Sequence, residues 1–192
     1  MVGHASGDTQ DDPTAVARRR IDLVLQRIVY RRAVSTGPDA DWWGELHLPQ
    51  DEASRGIAVD SLPASLVPTL LACGVPLAPA GSGDWRWGDG IGLDEQLTAP
   101  LLTETGLQLP TATERLACCN GVELKCLRDW VAQRCGLRLQ AAPGLAFFVW
   151  SRLALVISPR PEPLAGFVHG PERGQRHVLS LAPGGYALLP LD

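Results

Sequence analysis

A single lysine, Lys125, stands against sixteen arginines in a chain of 192 residues. A protein that gathers phosphates through diffuse charge draws on both cations, and the acidic middle of this chain would repel them, so nucleic acid is disfavoured as a partner. Arginine in place of lysine favours ion pairs of fixed geometry, because the guanidinium is a planar fork. Long apolar runs are missing as well. Residues 1–13 are polar and acidic where a secretory leader needs an apolar stretch, and Leu145 to Ile157, interrupted by Arg152, is too short to cross a bilayer. The expectation is a cytoplasmic protein with no transmembrane segment.

Metal and redox motifs are absent too. Five cysteines give an odd count, and four of them fall between Cys118 and Cys135 without a C-x2–4-C knuckle or a redox C-x-x-C. Cys118 and Cys119 are adjacent, Cys126 follows seven residues after Cys119, and Cys135 nine after that. Such spacing suits small buried thiols on helices better than ligands on a loop. No H-E-x-x-H occurs, and the glycine-rich D-W-R-W-G-D-G-I-G departs from phosphate-loop and calcium-loop patterns. No cofactor and no metal are therefore expected.

What is present is a globular composition: 45% hydrophobic residues, with 20 glycines and 16 prolines that imply many turns. The length fits a single domain over residues 12–192, preceded by a flexible tail at 1–11. Charge is blocked along the chain. Residues 11–35 carry six arginines against three aspartates (+3), residues 36–110 eleven acids against two arginines (−9), and residues 111–192 nine bases against six acids (+3). Blocks of this kind complement one another inside a fold or face a partner.

Asp12-Pro13 reads as a capping acid followed by a proline suited to a first helical turn, opening an amphipathic helix that runs to about Val34. Ile21, Val24, Leu25, Ile28 and Val29 share its apolar face, and Arg20, Arg27 and Arg31 form a stripe beside it. Leu23 lies beyond that stripe and implies a second contact surface. W-W-G-E-L-H-L-P reads as a short strand with Glu45 and His47 on one face, and Leu62 to Cys73 as helical turns broken by Pro68. Thr111 and Glu114 have capping-box spacing, opening a helix that Asn120-Gly121 interrupts. A second helix follows to Cys135 and closes at Gly136.

Six β-prone runs occupy the remainder, within 137–141, 145–150, 153–158, 165–169, 176–181 and 186–191. Their close spacing argues for an antiparallel meander. The fold expected is α+β, with an N-terminal amphipathic helix, a central helical pair, and a C-terminal antiparallel β-meander packed against helices.

The functional expectation is a non-enzymatic protein–protein interaction module, an adaptor, chaperone-like subunit or immunity-type inhibitor. Its partner would be another protein or a second copy of itself. The candidate surface is the stripe Arg20, Arg27 and Arg31 together with Trp85 and Trp87, whose indoles offer large contact area at low entropy. The alternative is a small cytosolic enzyme whose His47, His169 or His177 meets Cys118, Cys119 or Asp89 only in the folded state, as a nucleophile pair or a histidine-metal site. His169 and His177 are expected on adjacent strands as a solvent-facing pair.

Overall fold

The computed structural model describes residues 12–29, 38–48, 54–81, 86, 121–142, 144–172 and 174–191. The tail at 1–11 and the first member of the central helical pair lie outside them. Four α-helices are described: α1 (Pro13–Val24), α2 (Pro38–Glu45), α3 (Val67–Ala72) and α4 (Gly121–Arg134). Eight strands accompany them: β1 (Ile57–Ala58), β2 (Leu77–Ala78), β3 (Arg138–Gln140), β4 (Ala146–Val149), β5 (Leu153–Ile157), β6 (Leu164–His169), β7 (Arg176–Leu181) and β8 (Tyr186–Pro190). The fold is α+β, with an N-terminal helix and antiparallel C-terminal sheets near helices.

The start of α1 follows its sequence signals. Asp12 accepts a hydrogen bond from Thr14 N at 3.0 Å and another from the Thr14 hydroxyl, with Pro13 in the first turn. Ala17, Ile21, Leu23 and Val24 are all buried, so the helix is covered on two sides, and a π-helical turn (Leu25–Val29) continues it. The hydrogen bonds from Thr14 hold the Asp12 carboxyl below its ordinary pKa of 3.8. A carboxyl lowered by folding stabilises above its unfolded pKa and loses that contribution as pH falls through the folded value. Asp12→Ala should therefore lower the melting temperature at pH 7, and the gap to the parent should close by pH 2; a gap independent of pH would remove the cap's carboxylate from the account.

Trp42 to Leu48 is not a strand. Pro38 starts α2, and Trp42 and Leu46, four residues apart, are both buried on one helical side, with Leu46 N donating to the Trp42 carbonyl at 3.3 Å. A four-residue alternation of apolar and polar side chains fits either period, and the i, i+4 pair prevailed once Trp42 found the core. His47 follows in a turn with φ of 48°. Pro68 likewise breaks nothing, because it occupies the first turn of α3, where its missing N–H has no intrahelical partner to lose.

All six C-terminal runs form strands, dealt between two three-stranded antiparallel sheets. One has the order β4-β5-β8 and the other β3-β6-β7. Every residue of β4 and Ala154 to Ile157 of β5 are buried, adjacent residues included, as in Phe147 and Phe148 or Leu155 and Val156. Burial of both faces demands cover on each, and α1 approaches β5 while α3 approaches β4. The β3-β6-β7 sheet instead alternates: Leu139, Val168, Leu179 and Leu181 are buried, and their neighbours along each strand are not. One of its faces is open.

α4 joins this second sheet through Leu127 and Val131, both buried, and through Arg128. Its end is a glycine cap: Gly136 has φ of 81°, Gly136 N donates to Gln133 O at 3.0 Å, and Leu137 N donates to Ala132 O at 2.9 Å. The chain then turns directly into β3.

Candidate interaction surface

The expected surface residues divide between the fold and the region outside the described residues. The Arg20 guanidinium lies 5.0 Å from the Trp42 ring centroid and 5.2 Å from that of Tyr186, and the two rings meet edge to face at 5.4 Å. One cation thereby ties α1 to α2 and β8. Arg27 lies 5.4 Å over Trp43. These arginines are engaged by rings of their own chain. Arg31, Trp85, Trp87, Asp89, Cys118 and Cys119 lie outside the described residues.

The histidines are not brought together as a solvent-facing pair. β6 and β7 are neighbours, but the register sets His169 opposite Arg176 and His177 opposite Val168. That offset of one residue sends the two imidazoles to opposite faces of the sheet. His169 points outward and its Nε2 donates to Gln140 Oε1 at 3.2 Å; His177 points inward, and its Nε2 is buried with no hydrogen-bond partner among the described residues. His47 is exposed, with Nδ1 donating to the Glu45 carbonyl at 2.7 Å. Among the described residues no group of three or more His, Cys, Asp or Glu side chains is placed to hold a metal ion. Cys73 and Cys126 are free thiols, and burial pushes the Cys73 thiol above its ordinary pKa against the opposing field of Arg128.

The open face of β3-β6-β7 carries a different arrangement. Arg138, His169 and Arg176 pair across the three strands as one basic row. The next outward row is Gln140, Phe167 and Val178, in register. Val178 is 69% exposed, the one large hydrophobic side chain so exposed among the described residues, and Arg176 stacks over the Phe167 ring at 3.6 Å. Ala165 and Ser180 complete the face, on which no outward strand position is Asp or Glu.

A cleft of about 440 Å³ opens at the Arg138 corner, lined by Asp129, Gln133, Gly136, Leu137, Arg138 and Gly170. Asp129 is already neutralised there, its carboxylate taking Lys125 Nζ at 2.7 Å and Arg128 Nη2 at 2.8 Å. Arg138 makes no ion pair and no ring contact among the described residues. Gly136 and Gly170 contribute only main chain to its lining.

This surface was missed in the sequence although its signal was present. R-H-V-L-S-L alternates with Arg176, Val178 and Ser180 on one side, but which side faces water, and which strands lie alongside, depend on long-range pairing. No family model matches the chain, and neither a curated protein nor a solved structure is significantly similar to it. No helix among the described residues is long and apolar enough to cross a membrane.

Proposed function

We propose that the chain is a non-enzymatic protein–protein interaction module, of the adaptor, chaperone-like or inhibitor type, that docks through the outer face of β3-β6-β7. The observation that carries this reading is Val178, 69% exposed in the middle of an ordered strand, beside Phe167 and rimmed by Arg138, Arg176 and His169. Covering a valine of this kind contributes on the order of 1.5–3 kcal/mol to an association, enough to act as an anchor within a polar rim. Phe167 and Arg176 add the residue types in which binding energy concentrates. The partner is another protein or a second copy of this chain, and the odd cysteine count together with free Cys126 suits a reducing cytoplasm.

A photo-crosslinking amino acid placed at position 178, in cells that make the protein, should yield a defined protein adduct. The same probe at Arg152, on the exposed turn between β4 and β5, should yield none of that adduct. No adduct at 178, or the same adducts at both positions, would overturn the proposal.

A further inference from the structure

The reading of β3-β6-β7 as a docking face leaves the chemistry of its partner open, and the charges on that face narrow it. We infer that the partner presents an extended acidic segment of protein, one carboxylate of which seats in the cleft beside Arg138 while an apolar neighbour covers Val178. This rests on the interaction reading above.

Charge complementarity carries the argument. The outward positions of the three strands hold Arg138, Arg176 and His169 and no acid. Arg138 is the guanidinium of that row with no ion pair or ring contact among the described residues, and it lines the 440 Å³ cleft. Among the described residues lining the cleft Asp129 is the one acid, and it is paired with Lys125 and Arg128. Partial negative charge at the C-terminal end of α4 is tempered as well. The Ala132 and Gln133 carbonyls accept from Leu137 N and Gly136 N, and Arg134 stacks on Trp130 at 4.2 Å. A carboxylate entering the cleft therefore meets an unengaged fork donor, and the acid that lines the cleft, Asp129, is already paired.

Geometry favours an extended segment. Arg138 and Arg176 are separated by one intervening strand, which places their backbones about 10 Å apart. Residues on one side of an extended chain repeat about every 7 Å, a spacing that side chains of glutamate length bring into reach of both arginines. Gln140, Phe167 and Val178 form the next row, so an apolar residue adjoining the acids lands on Val178.

The probe is an end-capped synthetic peptide, Glu-Glu-Leu-Glu-Leu-Glu-Glu, with a counterpart in which every glutamate is lysine, titrated by fluorescence anisotropy against the full chain. The acidic peptide should bind at least tenfold tighter than the lysine peptide and weaken as salt rises from 50 to 200 mM. Arg138→Glu should weaken it at least tenfold and Arg138→Gln by less, both with unchanged melting temperature. Equal affinity for the two peptides, or indifference to Arg138→Glu, overturns the inference. So does tighter binding of a single-stranded oligouridine, which would assign the basic row to phosphates. If the peptide fails while position 178 still gives its protein adduct, only the acidic partner falls; if both fail, the docking face falls with it.

Discussion

Arg128→Met should lower stability by about 3 kcal/mol or more, because a buried hydrogen-bond network loses its charged donor. At 2–4 °C per kcal/mol for a chain of this size, the melting temperature falls by roughly 10 °C. The Arg128 side chain is fully buried, and its donors are allotted to Asp129 Oδ1 from Nε at 3.0 Å and from Nη2 at 2.8 Å, to the Leu139 carbonyl at 3.3 Å and to the Ala141 carbonyl at 3.0 Å. The two carbonyls belong to β3 and the residue after it, at the edge of the β3-β6-β7 sheet, where no further strand among the described residues supplies N–H donors. Methionine fills part of the volume and leaves both carbonyls without that partner. Asp129 retains Lys125, so the loss falls chiefly on the junction of α4 and β3.

Arg128→Lys should recover only a fraction of this stability, since an ammonium cannot reproduce a fork that reaches a carboxylate and two carbonyls together. Thermal unfolding of the three proteins decides the matter. A methionine variant that melts within 2 °C of the parent would show that the buried guanidinium is energetically neutral.

Gly56→Ala should be nearly as damaging, by about 3 kcal/mol or more, through strain and overpacking together. Gly56 has φ of 132°, a region that L side chains rarely enter, and an added Cβ would collide with the backbone carbonyl of Pro76 and meet Leu77 N at 3.0 Å. Neither neighbour can turn aside, because both are main chain. Ile57 N donates to that same Pro76 carbonyl at 3.1 Å, holding the parallel pairing of Ile57 with Leu77 and Ala58 with Ala78. Gly44→Ala is the control. It lies in α2 with open space around it, and the change should be neutral or stabilise by up to about 1 kcal/mol. Denaturant unfolding that finds the two substitutions equivalent would refute the steric account of Gly56.

Legibility of the fold followed the range of the interactions concerned. Asp12-Pro13, the glycine closing α4 and the six β-prone runs are local signals, and each produced its element. Trp42 to Leu48 went the other way because the decisive contact, Trp42 against Tyr186 and Arg20, joins residues far apart in the chain. The arginine stripe illustrates the same limit. Helical spacing places Arg20 and Arg27 beside the apolar face, but only the arrival of α2 and β8 sets Trp42, Trp43 and Tyr186 under their guanidinium groups.

The candidate surface was less legible than the fold. Its three strands were each readable, yet β3 pairs with β6 across the 23 residues between Gln140 and Leu164, and β4 and β5 are set aside into another sheet with β8. His169 and His177 show how much the register matters: their strands were placed together, and an offset of one residue put them on opposite faces.

By itself the sequence determined the α+β class, the helix start at Asp12-Pro13, the turn at Gly136 and the positions of all six C-terminal strands, since these depend on side-chain period and local backbone chemistry. Tertiary structure alone decided which strands share a sheet, which face of β3-β6-β7 meets water and which arginines find aromatic rings. Those outcomes depend on burying apolar area between segments far apart in the chain, and a side-chain alternation of period two does not state which of its two sides the rest of the protein will cover.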